Sequence, residues 1–227
     1  ILSDNSPTLS YWKTIFNRFV DGDTSFVDSL LTDSVQSFFY ELVIFDDTTL
    51  NKTFHLLREQ LDTSYVDYNI PEITSDDVVG GFRNVWGLFI INMNAEREQI
   101  LIQVPHPCDD FIAPYIALDL FFETDAFGFM IAGAGREVAW NQIGDYSNSK
   151  SISDPSRYPH TVFQKFQDAI TEPLIGINPH WPLVFAIHSF DNQTHLERKP
   201  IIMAAGGQNS FTTKPIRDIT NDHFDII

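Results

Sequence analysis

The chain has 227 residues and a formal charge of −17, from 31 acidic against 14 basic side chains. That field repels phosphate backbones and anionic membrane surfaces, which argues against nucleic acid as a partner. With 43% hydrophobic residues, twenty phenylalanines among them, the length suits a single α/β domain with a large core and argues against disorder.

Much of the acidic excess lies early: residues 1–80 hold 14 Asp and Glu against 4 Lys and Arg. No run approaches the roughly 20 apolar residues a membrane helix needs, so no membrane span is expected. A start at Ile1 instead of methionine reads as processing or trimming, compatible with a soluble, exported protein. The single Cys108 excludes an internal disulfide.

Ser6-Pro7 reads as a helix cap followed by proline at the first helical position. Leu9, Trp12, Ile15, Phe16 and Phe19 then share one helical face, and Asp21-Gly22-Asp23 ends the helix. Phe39 to Phe45 is either a strand or a buried helical turn. Leu50 to Leu61 reads as an amphipathic helix, so residues 1–80 are expected to be largely helical. Residues 63–85 are polar and turn-rich.

Trp86–Ile91 and Gln99–Val104 are strand candidates, joined by a polar link short enough for a hairpin. A helix over Ile112–Thr124 follows, then a strand over Ala126–Ala132 that runs into Gly133-Ala-Gly-Arg136. Beyond a polar loop, Asn141–Pro159, come a helix over Thr161–Thr171 and a strand over Leu183–Ile187 ending at His188. A last strand is expected over Pro200–Ala204. Strands alternating with helices predict an α/β fold: a mainly parallel mixed sheet, helices on both faces, with residues 86–205 as its core.

In such sheets ligands bind beyond the carboxyl ends of the strands. Three strand runs end in reactive groups: His106 with Asp109 and Asp110, Arg136 with Glu137, and His188. Pro105 and Pro107 fix φ on either side of His106 and stop its strand there. Two imidazoles and one carboxylate are a zinc set that leaves a position open for water. Either aspartate could serve, and either could cap the helix that follows. Arg136 could clamp a substrate carboxylate or pair with a neighbouring acid. Gly133-Ala-Gly and Gly206-Gly207 lack the spacing of a phosphate or dinucleotide loop.

Val104-Pro-His-Pro-Cys-Asp-Asp, Ile131-Ala-Gly-Ala-Gly-Arg, Ser153-Asp-Pro and Ala186-Ile-His-Ser-Phe occur in an order that resembles the N-formylglutamate amidohydrolase-like and zinc-carboxypeptidase-like hydrolases. The resemblance covers roughly residues 86–205 and implies a zinc-exopeptidase-like fold of the phosphorylase/hydrolase type. It implies Zn2+ held by His106, by Asp109 or Asp110, and by His188. A His-x-x-Glu spacing selects Asp109 and a His-x-x-x-Asp spacing Asp110; Asp110 is preferred, leaving Asp109 for the helix start.

The family's arginine would fall on Arg136, with Ser153 and Asp154 in the site loop. Its late catalytic glutamate has one counterpart after His188, Glu197, and Glu137 and Asp154 are further candidates for that acid. The implied activity is zinc-dependent hydrolysis of an amide or peptide-like bond in a small molecule or peptide carrying a carboxylate. The alternative is a protein of the same fold that binds a metal or ligand without catalysis.

Overall fold

A computed structural model describes residues 6–33, 38–63, 81–136, 153–177 and 182–189. The elements in chain order are α1 (Pro7–Val20), α2 (Thr24–Leu31), β1 (Tyr40–Asp47), β2 (Lys52–Glu59), β3 (Leu88–Asn92) and β4 (Arg97–Val104). Then come α3 (Ala113–Glu123), β5 (Ala126–Ile131), α4 (Val162–Thr171) and β6 (Leu183–Ala186). The six strands form one open sheet in the order β1-β2-β3-β5-β4-β6.

The architecture is α/β with a mixed sheet. Of its described pairings, β1–β2, β2–β3 and β3–β5 are antiparallel, while β4 runs parallel to β5 and to β6. The expectation of a mainly parallel sheet therefore holds only for the β5-β4-β6 half. The strand expected over Pro200–Ala204 lies outside the described residues.

Two further expectations are corrected. Leu50–Leu61 is not a helix but a turn leading into β2. Asp47 Oδ1 accepts from the backbone N–H groups of Thr49 (2.8 Å) and Leu50 (3.0 Å), and Asn51 takes φ +53°. That left-handed residue closes a hairpin that pairs Asp47 with Lys52. Because β2 is covered on both faces, Phe54 joins one core cluster and Leu57 the other, so its apolar residues do not alternate cleanly.

The expected β3–β4 hairpin does not form either, because β5 lies between those strands. Asp125, at the entrance to β5, accepts from Asn92 Nδ2 (2.7 Å), from the Glu96 backbone N–H (3.0 Å) and from Lys52 Nζ (2.8 Å). Burial alone would raise its carboxyl pKa, but these donors outweigh it and hold the group below its ordinary value. The 92–98 link thus arches over the start of β5.

α1, α2 and α4 cover one face of the sheet and α3 the other. The first face is held by aromatic packing: Phe16 lies 4.8 Å from Phe89 and 5.2 Å from Phe166, ring centre to ring centre. Trp12, Phe16, Phe89 and Phe166 are fully buried, at about 1.5–3 kcal/mol each. α2 is capped by Asp23, which accepts from the Phe26 N–H. α3 is apolar nearly all round; Ala113, Ala117 and Phe121 face the sheet, while Tyr115 and Phe122, and Phe111 just before the helix, stay exposed.

Candidate metal centre

The parallel half places the carboxyl ends of β5, β4 and β6 side by side. Val104 is in register with Ile131, and Gln103 with Ala186. Two further bonds extend the ladder past the strands, from Ala132 N–H to Val104 O (3.0 Å) and from Ile187 N–H to Gln103 O (2.9 Å). The chain leaves β4 toward α3 on one face, and β5 is followed by α4 on the other. Loops diverging in this way leave a crevice at the strand ends.

His106 emerges there between its two prolines. Its carbonyl accepts from the backbone N–H groups of Asp109 (3.2 Å) and Asp110 (2.8 Å). This tight turn brings Asp110 back beneath the imidazole, with Oδ2 3.7 Å from His106 Nδ1. From the end of β6, His188 approaches the same carboxylate, Nδ1 to Asp110 Oδ2 at 2.9 Å. The two imidazole rings lie 4.8 Å apart, centre to centre. His106 and Asp110 are buried and His188 is exposed. One ligand atom from each of the three lies within 4.8 Å of the others.

The other side of His106 is tied to Asp154, with Nε2 2.8 Å from Oδ1. A carboxylate only accepts, so Nε2 carries the proton. In the neutral imidazole Nδ1 is then a lone pair, and that atom is buried without a hydrogen-bond partner. Asp154 accepts again from Ser156, through its hydroxyl (2.5 Å) and its backbone N–H (2.9 Å), and Arg157 Nε lies 3.5 Å from its second oxygen. Burial pushes the Asp154 carboxyl up, but the bonds from His106 and Ser156 prevail and hold it at about 2. It is a carboxylate at any working pH.

Asp109 does not cap α3. The cap position is Ile112, which makes no side-chain bond. The Asp109 carboxylate turns to the β5 loop, accepting from the Arg136 backbone N–H at 3.1 Å, while its other oxygen lies 3.9 Å from Arg136 Nε. Ser153 joins the same cross-link by donating to the carbonyls of Gly135 (3.2 Å) and Arg136 (2.9 Å). The loops after β4 and β5 and the 153–157 turn are thus tied together. Glu137 and Glu197 lie outside the described residues, and Cys108 is an exposed free thiol.

The sequence reading missed Ser156 and the bond between Asp154 and His106. Asp154-Pro155-Ser156 carried a local signal, an aspartate closing a turn on its own i+2 amide. Its partner 48 residues upstream carried none. Comparison with protein families, curated proteins and solved structures gave no match. The geometry therefore stands on its own residues: a His106–Asp110–His188 group that could hold a metal ion.

Proposed function

We propose that the chain is a zinc-dependent hydrolase of an amide or peptide-like bond, with His106, Asp110 and His188 as the metal ligands. The observation that carries the reading is His106 Nδ1, buried without a partner beside the Asp110 carboxylate. Left alone, a lone pair facing a carboxylate is repulsive and costly to bury. A divalent cation held by His106, Asp110 and His188 would relieve that repulsion. Two imidazoles and one carboxylate are a catalytic, not a structural, zinc set.

Zinc bound there supplies Lewis acidity toward a carbonyl oxygen and acidifies water. The chain's own residues do the rest. Asp154 fixes the Nε2–H tautomer of His106 and raises its basicity as a ligand. Its bond to His106 Nε2 and its two bonds from Ser156 favour orientation over proton transfer. The acid that takes the water's proton is then drawn from Glu137 and Glu197. Pro105, Pro107 and the Ala132–Val104 bond hold the crevice before substrate arrives.

The test is metal analysis of protein purified without chelator. Wild type should carry stoichiometric zinc, melt higher with added zinc, and cleave members of an N-acyl amino acid library. His106→Ala and His188→Ala should lose metal and turnover together. A wild type with no bound metal and no thermal response to zinc overturns the reading. Bound zinc with no turnover leaves the non-catalytic alternative.

A further inference from the structure

A cleft of about 740 Å³ opens on the same sheet edge, on the β3 side of β5. That volume is in the range of small-molecule sites. Its apolar wall comes from Leu61, Phe82, Val85, Leu88 and Ile131, and the first three are exposed to solvent.

One wall is built at a conformational cost. Val85 sits at φ +53°, a region that β-branched residues rarely enter. The buried Glu59 holds it there, accepting from the backbone N–H groups of Asn84 (2.5 Å) and Val85 (2.8 Å). A Cβ on Gly133 would lie 2.6 Å from the Val85 carbonyl oxygen, so this turn sits directly on the exit of β5. Strained backbone positions cluster at active sites, ligand clamps and switch regions.

Each oxygen of Glu59 accepts from one of those two amides. Arg58, which also lines the cleft, is not saturated. Its Nε donates to Glu41 Oε1 (2.7 Å), and its terminal amino groups make no hydrogen bond among the described residues. Arg136, read from the sequence as a carboxylate clamp or the partner of a neighbouring acid, has its Nε 3.9 Å from Asp109.

We propose that the cleft binds the far end of the substrate, an aryl or alkyl body against Phe82, Leu61 and Val85. A single carboxylate is then held by the terminal amino groups of Arg58, and not by Arg136. The wall residues Ile131 and Ala132 pair with Val104, two residues before His106, which puts the cleft wall on the strand next to the one that ends at that histidine. Calling the occupant a substrate rests on the hydrolase reading; binding itself does not.

Calorimetric titration with 4-phenylbutanoate tests it on zinc-loaded and on chelator-treated protein. Saturable binding is expected in both. It should weaken about tenfold in Arg58→Gln and for the neutral 4-phenylbutanamide, the loss of one charge-assisted contact. It should weaken in Phe82→Ser and be unchanged in Arg136→Gln. Both Arg58 and Phe82 are exposed, so these variants should keep the wild-type melting temperature. No saturable binding, or binding that ignores Arg58→Gln and Phe82→Ser, overturns the proposal. So does binding that is lost with chelation or with Arg136→Gln. Absence of zinc from the purified protein would sink the hydrolase reading and leave these outcomes unchanged.

Discussion

Among the described residues, two regions bury a histidine whose Nδ1 has no hydrogen-bond partner: His106 at the exit of β4 and His55 within β2. Their neighbours set them apart. His55 packs near the Phe19 ring, 6.4 Å between centres, in an apolar layer. Burial lowers its pKa from 6.5, and Asp46, which accepts from Thr53 Oγ1, only partly offsets that. His106 instead stands between two buried carboxylates, one bonded to its Nε2 and one beside its Nδ1. An orphan ring nitrogen is thus a packing cost in one place and a candidate ligand position in the other. The carboxylates make the difference.

The comparison breaks most sharply at the aspartates beside His106. Asp110→Asn should weaken zinc binding by at least ~100-fold, measured by competition with a chromophoric chelator. Asp109→Asn, one residue away, should stay within about threefold, since its carboxylate serves the β5 loop. Equal losses in the two variants would dissolve the assignment of Asp110.

Next in size is Asp154→Asn, which can still accept a hydrogen bond but no longer imposes a negative charge on His106. Zinc affinity should fall about 10- to 100-fold with the fold retained. An affinity equal to wild type would reduce Asp154 to a structural turn.

The smallest effect belongs to His55. Its folded-state pKa lies below the unfolded value of 6.5, so below pH 6.5 the unfolded chain binds more protons. Stability should therefore be full above pH 6.5 and decline as pH falls below it. His55→Leu should flatten that decline in urea titrations and leave zinc binding untouched, with stability near pH 7 changed by no more than about 1 kcal/mol. A steeper decline in the variant would show that His55 gains, not loses, protonation on folding.

Legibility in the sequence followed the same division. The face of α1, the boundaries of α3 and α4 and the ends of β4, β5 and β6 could be read to within a residue or two. Each follows from its own periodicity or from flanking prolines and glycines. The hairpin β1–β2 was misread in part because β2, covered on both faces, lacks the alternation that marks a strand. The insertion of β5 beside β3 depends on Asp125 bonding to Asn92, Glu96 and Lys52. No local pattern reports such a bond.

The sequence by itself determined that His106 and His188 end strands of an α/β fold, because proline geometry and apolar runs act within a few residues. Tertiary structure alone decided that β4 lies between β5 and β6, that Asp110 and not Asp109 meets both imidazoles, and that Asp154 holds His106 from behind. Side-chain periodicity reports only which face of an element is buried. Strand order and the partner of a buried nitrogen are set by contacts between residues 48 and 78 positions apart, where the cost of an unpaired polar group selects the arrangement.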